Sequence, residues 1–489
     1  MLSLGLLASA TPSEHGVALS RAAKLSPGRL AALRILTASR EDGRYAREVA
    51  GDICASMGLE PRDAAFARKL ALGVTAASGC LDDALGRYLE DVRALAPDVR
   101  DSLRVGAYEL LYLGTASQFA VSQGVELARS CSHAVAGLAN AVLRRVAEGA
   151  EPFLAAEDAA EAHRAMVSRA RRSGLPTWLV RRVLDSLGEE RARDMLDAQR
   201  GSAPIAVQVN PFRDGAVEHA LATSGATPLG LPGSFAVERV GELVRSGAFS
   251  RADLVASDYH AQLIAAVATR AGSCLEIGAG RGTKTFMMMA QASRRDLVRT
   301  HLALDLYEGK CHANAGRIEC SGLGEIELAA GDATDLHACL ASRDGESGGI
   351  ARFDTVFVDA PCSGTGTMRR HGEIPWRLTP AECDRELPRL QLAMLRAAAA
   401  RVAPGGELIY ATCSVLRAEN RDVVDALLAS PEGEGFSLVP LSGALRGEGP
   451  AYDAAVCDLA ACEDERGLFQ SHPFRGGFDG HFCARFVRV

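Results

Sequence analysis

Two short segments, Asp359-Ala360-Pro361-Cys362-Ser363-Gly364-Thr365-Gly366 and Ala411-Thr412-Cys413-Ser414, each put a cysteine beside a tight turn. A pair of thiols can divide a covalent reaction. One thiolate can attack an electron-poor carbon such as C6 of a pyrimidine ring, while the other helps the modified ring leave. Free cysteine is also among the most buried residue types, and burial is the reading taken for Cys54, Cys80, Cys131 and Cys274. Cys362 and Cys413 differ because each follows a strand-like run, Val356-Phe357-Val358-Asp359 or Leu408-Ile409-Tyr410-Ala411. Open α/β sheets bind ligands outside the C-terminal ends of their strands. Pro361 fixes the first turn, and Gly364 and Gly366 keep the loop after it open.

Upstream, Glu276-Ile277-Gly278-Ala279-Gly280-Arg281-Gly282-Thr283-Lys284 follows a strand-like run and opens a helix. Glycines there let the backbone approach a ligand and free the helix N-terminus to meet polar groups. A phosphate-gripping P-loop needs glycine just before Lys284, where Thr283 stands. The dinucleotide pattern fails too, because its third glycine comes one residue early. What remains is an acidic residue, an apolar residue and G-x-G-x-G, the loop of S-adenosylmethionine-dependent enzymes. Asp305 ends the next strand, where a carboxylate can accept from ribose hydroxyls. Asp332 ends the third, where it can meet an adenine amino group. Each acid alone also suits a helix cap. Together they favour a cofactor cradle of Gly278, Ala279, Gly280, Arg281, Gly282, Thr283, Lys284, Asp305, Asp332 and Asp359.

These side chains need a scaffold. From about Asp258, strand-like runs at Ser273–Ile277, Leu302–Leu306, Glu325–Ala329, Thr355–Asp359 and Glu407–Ala411 alternate with helical segments. That is the pattern of a doubly wound parallel sheet. Both cysteine turns then leave one edge, beside the glycine loop. Gly345–Gly349 and Gly433–Gly435 read as solvent loops. Earlier in the chain the pattern is helical: Ile35, Val49, Ile53 and Met57 recur near one face, as do Leu103, Ala107, Leu110 and Leu111. Between these regions a basic helical stretch from Arg164 to Arg182 precedes the strand-like Ile205–Asn210. The expected organisation is a loose leader 1–26, an all-α domain 27–148, a small α/β linker domain 155–254 and an α/β domain 255–489.

A chain of 489 residues, 48% apolar and 24% charged, is globular and long enough for two or three domains. Its formal net charge of −7 argues against a surface that is basic throughout, although phosphate contact needs only a patch. The 13 cysteines include no Cys-x-x-Cys pair, which disfavours a zinc ribbon, and their odd number fits reduced thiols. No metal is expected. Met1–Ala10 lacks the basic region of a secretory signal, and no run reaches the roughly 20 apolar residues of a membrane helix. The expectation is a reduced, cytoplasmic protein without a membrane partner.

Asp359–Gly366, Arg369-Arg370-His371, Trp376 and Ala411–Ser414 with Glu419-Asn420 resemble the Sun (Fmu) family of RNA cytosine-C5 methyltransferases, in its bacterial small-subunit rRNA type. Residues 27–148 resemble that family's NusB-like RNA-binding domain, most clearly at Arg104–Tyr112 and Gly137–Arg145, and Pro176-Thr177-Trp178-Leu179 matches the start of its linker domain. The resemblance implies a Rossmann-like class I methyltransferase domain that uses S-adenosyl-L-methionine on RNA, with 16S rRNA as the first choice. It also implies the roles: Cys413 attacks C6 of cytosine, Asp359 holds the N3/N4 edge of the base, and Cys362 assists release. Arg369, Arg370 and the Arg164–Arg182 cluster become candidate phosphate contacts; for the cluster, a solvated helix face is an equal reading. Two positions depart from the family. Gly278–Lys284 has the generic methyltransferase form, and Asp479-Gly480-His481-Phe482 loses one aromatic. The alternatives are the same chemistry on tRNA, or a non-catalytic RNA-binding assembly factor.

Overall fold

The computed structural model describes residues 25–155, 162–344 and 350–489. The expected leader, apart from Leu25 and Ser26, and the Gly345–Gly349 loop lie outside the described residues. The chain divides into two compact units. One runs to Ala71 and resumes over Ala84–Ala150; the other takes Leu72–Asp83 and Glu151–Val489.

The first unit is helical, as the apolar spacing predicts. Pro27 and Pro97 stand at the first turns of the helices Pro27–Asp42 and Pro97–Tyr108, where a missing N–H costs nothing. Gly43 ends the first of these in the left-handed region, φ 66°, as C-cap glycines do. Ile35, Val49, Leu103, Ala107, Leu110 and Leu111 are buried, while Ile53 and Met57 are only half-buried. Inside the core Arg29 and Glu109 form a bidentate ion pair, at 2.5 and 2.7 Å.

The second unit opens with the helices Ala162–Ser173, Thr177–Leu187 and Glu189–Ala198. Four short strands follow: β1 (Ile205–Val209), β2 (Thr227–Pro228), β3 (Ser234–Val237) and β4 (Leu254–Ala256). They form an antiparallel sheet in the order β2-β3-β1-β4. The large sheet contains β5 (Gly272–Ile277), β6 (Arg299–Asp305), β7 (Glu327–Ala330), β8 (Phe353–Asp359), β9 (Val402–Thr412), β10 (Phe436–Val439), β11 (Phe469–Gln470) and β12 (Phe482–Arg488). Its order is β10-β12-β9-β8-β5-β6-β7, with β11 paired to β12. Strands β5 to β9 are parallel, and β12 runs antiparallel to β9.

Burial on both faces explains the continuous apolar runs of the central strands. Val356 and Val358 pack with Met394 and Leu395 of the helix Leu387–Ala399. Phe357 faces the other way, into a core with Leu263, Ile264 and Phe286 of the helices Tyr259–Val267 and Thr283–Arg294. Among the described residues, no helix is long and apolar enough to cross a membrane.

Two expectations are corrected here. The sheet is mixed rather than wholly parallel, because the C-terminal strand returns antiparallel into it. Gly433–Gly435 is a solvent loop only in part: Glu434 and Gly435 are exposed, but Gly433 is buried, and a Cβ there would overlap the Leu427 carbonyl.

Candidate active site

Strand register brings the two cysteines together. In the β8–β9 pair Asp359 lies opposite Ala411, so Cys362 and Cys413 leave neighbouring strands three and two residues later. Their sulfurs stand 3.4 Å apart, and both cysteines are free and half-buried. Register also places the glycine loop alongside. Ile277 of β5 lies opposite Val358, which sets Gly278 beside Asp359. Gly278 has φ +81°, and a Cβ there would overlap the Asp359 carbonyl; only glycine permits this approach.

Lys284, in the first turn of the helix Thr283–Arg294, reaches back to the strand end. Its ammonium donates to Asp359 Oδ2 at 2.7 Å. Burial lowers the Lys284 pKa, but attraction to Asp359 outweighs it and the lysine stays charged. The hydrogen bond to the Cys413 sulfur, then burial, holds the Cys362 thiol well above its ordinary range. That same bond, helped by the Lys284 charge, holds Cys413 below its ordinary value against burial and the charge of Asp359. A lowered pKa is what a nucleophilic cysteine needs.

The rest of the expected cradle also lies at strand ends. β5 sits where the strand order reverses, between β6 and β8, which is the ligand crevice of such sheets. Asp305, ending β6, accepts from Gly280 N at 2.9 Å through Oδ2 and from Tyr307 N at 3.1 Å through Oδ1. Gly280 and Gly282 have φ of +58° and +80°. A Cβ on Gly280 would meet nothing nearer than 4.0 Å, so its backbone faces open space, with Arg281 exposed beside it. Asp332 is exposed, and its Oδ1 accepts from both the N–H and the hydroxyl of Thr334, at 2.9 and 2.8 Å. Those bonds hold its carboxyl below the usual range and leave Oδ2 without a bond among the described residues.

The sequence reading gave Glu419 no part in the site. It is wholly buried, and it ties the two cysteine turns to each other. Oε2 accepts from Ser363 N at 2.8 Å and from Gln391 Nε2 at 2.9 Å; Oε1 accepts from the Ser414 hydroxyl at 2.7 Å. Ser363 and Ser414 each follow a cysteine, and that repeated Cys-Ser pair was the available signal. Asn420 adds a second brace, accepting from Thr412 Oγ1 at 2.7 Å and donating to the Ser414 carbonyl at 2.9 Å.

Arg369 and Arg370 are corrected. Arg369 is buried against the C-terminal loop, donating to the carbonyls of Phe474, Gly477 and Phe478 and to Asp479. Arg370 pairs with Asp479 and donates to Pro204 O at 2.5 Å. Neither is free for phosphate. In the basic cluster, Arg169, Arg171 and Arg182 pair with Glu189, Asp83 and Asp384, whereas Arg172 and Arg181 are exposed. Of the cysteines read as structural, Cys54, Cys80 and Cys274 are buried and Cys131 is half-buried.

Asp258, His260 and His481 bring ligand-type atoms within 4.8 Å of one another. Most of those atoms are already used. Asp258 accepts from His260 N and Asp479 N and faces the Arg370 guanidinium at 3.4 Å; His260 Nδ1 lies 2.9 Å from the Asp479 carbonyl. A guanidinium so close opposes a second cation. Burial also keeps His481 neutral, which suits a packing role.

A glycine loop at the switch point of this mixed sheet and a strand-end carboxylate make the ligand crevice of a Rossmann-like domain. The family model described as 16S rRNA methyltransferase RsmB/F matches residues 266–486, and the NusB family model matches 26–148. Protein Rv1407 of Mycobacterium tuberculosis is 33% identical over 444 residues, covering 86% of this chain and 90% of that protein. Ribosomal RNA small subunit methyltransferase B of Thermus thermophilus is 30% identical over 431 residues, covering 88% and 89%. Among solved structures, PH0851 aligns over 95% of this chain and 100% of its own with a TM-score of 0.72 at 19% identity, a likeness of fold. The chain belongs to the RsmB/F family of methyltransferases.

Proposed function

We propose that the chain methylates C5 of a cytosine in RNA, with S-adenosylmethionine as donor and 16S rRNA as substrate. The carrying observation is the thiol pair, 3.4 Å apart, with the Cys413 thiol held below its ordinary value and the Lys284–Asp359 ion pair alongside. The similarity to ribosomal RNA small subunit methyltransferase B of Thermus thermophilus supports the choice of RNA.

The cradle fits the donor: open backbone over Gly280, a carboxylate at Asp305 and a free helix N-terminus at Thr283. When bound, that group supplies an electrophilic methyl on a sulfonium sulfur. The chain's own residues do the rest. The Cys413 thiolate bonds to C6, and the C5–C6 π pair moves onto C5, which becomes nucleophilic. Asp359 accepts from the cytosine N4 amino group and holds the ring over the sulfur. The Cys362 thiol gives its proton to the departing Cys413 sulfur and takes up the C5 proton in its place. The C5–H pair returns to the ring as the bond between Cys413 and C6 breaks. The base must first be single-stranded or flipped out.

Incubation with rRNA and cofactor tests the roles. Cys362→Ala is expected to accumulate a denaturation-resistant RNA adduct, and Cys413→Ala to form none. A reversed pattern would overturn the assignment of the nucleophile, and absence of cofactor binding by calorimetry would overturn the enzymatic reading.

A further inference from the structure

Glu419 is a buried carboxylate with no ion pair among the described residues; its donors, Ser363 N, Gln391 Nε2 and the Ser414 hydroxyl, are all neutral. Burying a charge without a counterion is costly, and a packed apolar residue there would avoid that cost. What the carboxylate provides is a bridge: one oxygen holds the turn after Cys362 and the other holds the turn after Cys413. Gln391 extends the bridge by donating also to the Pro361 carbonyl at 2.9 Å. The hydroxyls of Ser363, Thr365 and Ser414 close a triangle beneath it, at 3.1–3.2 Å.

We propose that Glu419 is a positioning residue that fastens the two cysteine turns to each other and so sets the sulfur–sulfur separation on which the division of labour between the thiols depends. The consequence for catalysis rests on the cytosine-C5 reading; the geometric claim does not. The groups facing the sulfurs agree with the division. Cys413 faces Cys362, Asp359, Lys284 and Glu419, whereas Cys362 faces Cys413 and Glu419, with the buried Tyr410 hydroxyl nearby. Lys284 therefore separates the two thiols, acting on Cys413, whereas Glu419 pushes both upward. Tyr410 also donates to the Glu419 carbonyl at 2.6 Å, which anchors the backbone of the bridge.

Diamide crosslinking reads the separation without RNA. Two thiols become one disulfide, and the azo bond of diamide takes up the two protons and two electrons to become a hydrazine. Mass spectrometry of the Cys362 and Cys413 peptides follows the rate. Wild-type protein should crosslink this pair readily, and Glu419→Gln should do so at least about tenfold more slowly, since an ångström of misplacement costs that much or more. Calorimetric cofactor binding should be unchanged, because Glu419 touches no residue of the glycine loop. Ser414→Ala, which removes one tether only, should fall between the two and serves if Glu419→Gln does not fold. Equal rates in wild type and a folded variant would overturn the proposal, as would a wild-type pair that does not crosslink. If the crosslinking result holds while no cysteine forms an RNA adduct, the bridge stands and the cytosine-C5 reading falls.

Discussion

At the scale of single residues, the site is a matter of where one proton sits. Cys413 is held low by its hydrogen bond from Cys362 and by Lys284, so its thiolate is present above the folded pKa and lost as pH falls through it. Turnover should therefore rise with pH along a limb set by Cys413. Lys284→Met removes the cation and should move that limb to higher pH, as single-turnover methylation across a pH series will read. A limb that stays in place would mean that the lysine does not tune the thiol. Cys362, Cys413 and Asp359 were legible in the sequence because each ends or follows an apolar strand. Glu419 was legible only as a motif residue, because a glutamate several residues past a cysteine does not show that it folds back to bridge the two Cys-Ser turns. The arginines misled for a related reason: a paired Arg-Arg reads as a phosphate grip, and only the fold reveals that Asp479, 110 residues on, takes both.

At the scale of elements, the parallel strands were readable and the returning strand was not. β6, β8 and β9 contain the apolar runs Leu302–Leu304, Val356–Val358 and Leu408–Ala411, and β5 one broken only by the buried Glu276, but β12 carries Arg485 in its middle. That arginine is buried in a bidentate pair with Glu407 of β9, at 2.5 and 2.9 Å, so a charge interrupts what is in fact a core strand. The loop before β12 depends on a similar device. The Arg369 and Asp479 side chains are 1% and 0% exposed, and Arg370 is a second partner of the same carboxylate. Arg369→Met leaves Asp479 paired with Arg370 but strips three loop carbonyls of this donor, and should cost about 1–3 kcal/mol in urea unfolding while leaving the salt dependence of RNA binding unchanged. The opposite result, full stability with a shallower salt slope, would restore Arg369 as a phosphate contact. The same loop meets the cysteine turn backbone to backbone: Gly480 N donates to Gly366 O and Gly366 N to Cys413 O, each at 2.9 Å. A Cβ on Gly366 would overlap the Gly480 carbonyl. Gly366→Ala is thus expected to lose about 1–3 kcal/mol and most methylation activity, measured on the same preparation.

At the scale of the whole molecule, the divisions in sequence and in space differ. The apolar spacing runs on through the helix Pro61–Ala76 and gives no reason to break the all-α region before residue 148. Yet Leu72–Asp83 cluster with the second unit. Within that unit the Trp376 indole donates to Ala76 O at 2.8 Å, Gly372 closes against Ala76, and the Cys80 thiol donates to Ala170 O at 3.5 Å. A helix that looks like part of one domain thus supplies packing to the catalytic unit, a pairing that periodicity cannot show because it reports only which face of a helix is apolar. The physical expectation is definite. A fragment spanning 150–489 lacks those residues, so the Trp376 indole loses its acceptor and the surfaces that Leu72–Asp83 cover meet water. Such a fragment should unfold at lower urea concentration than the same transition in the full chain, with tryptophan emission shifted to the red. Trp376→Phe in the full chain removes the single hydrogen bond and should cost about 0.5–1.5 kcal/mol, well short of the truncation. A fragment as stable as the full chain would mean that Leu72–Asp83 pack on the catalytic unit without supporting it.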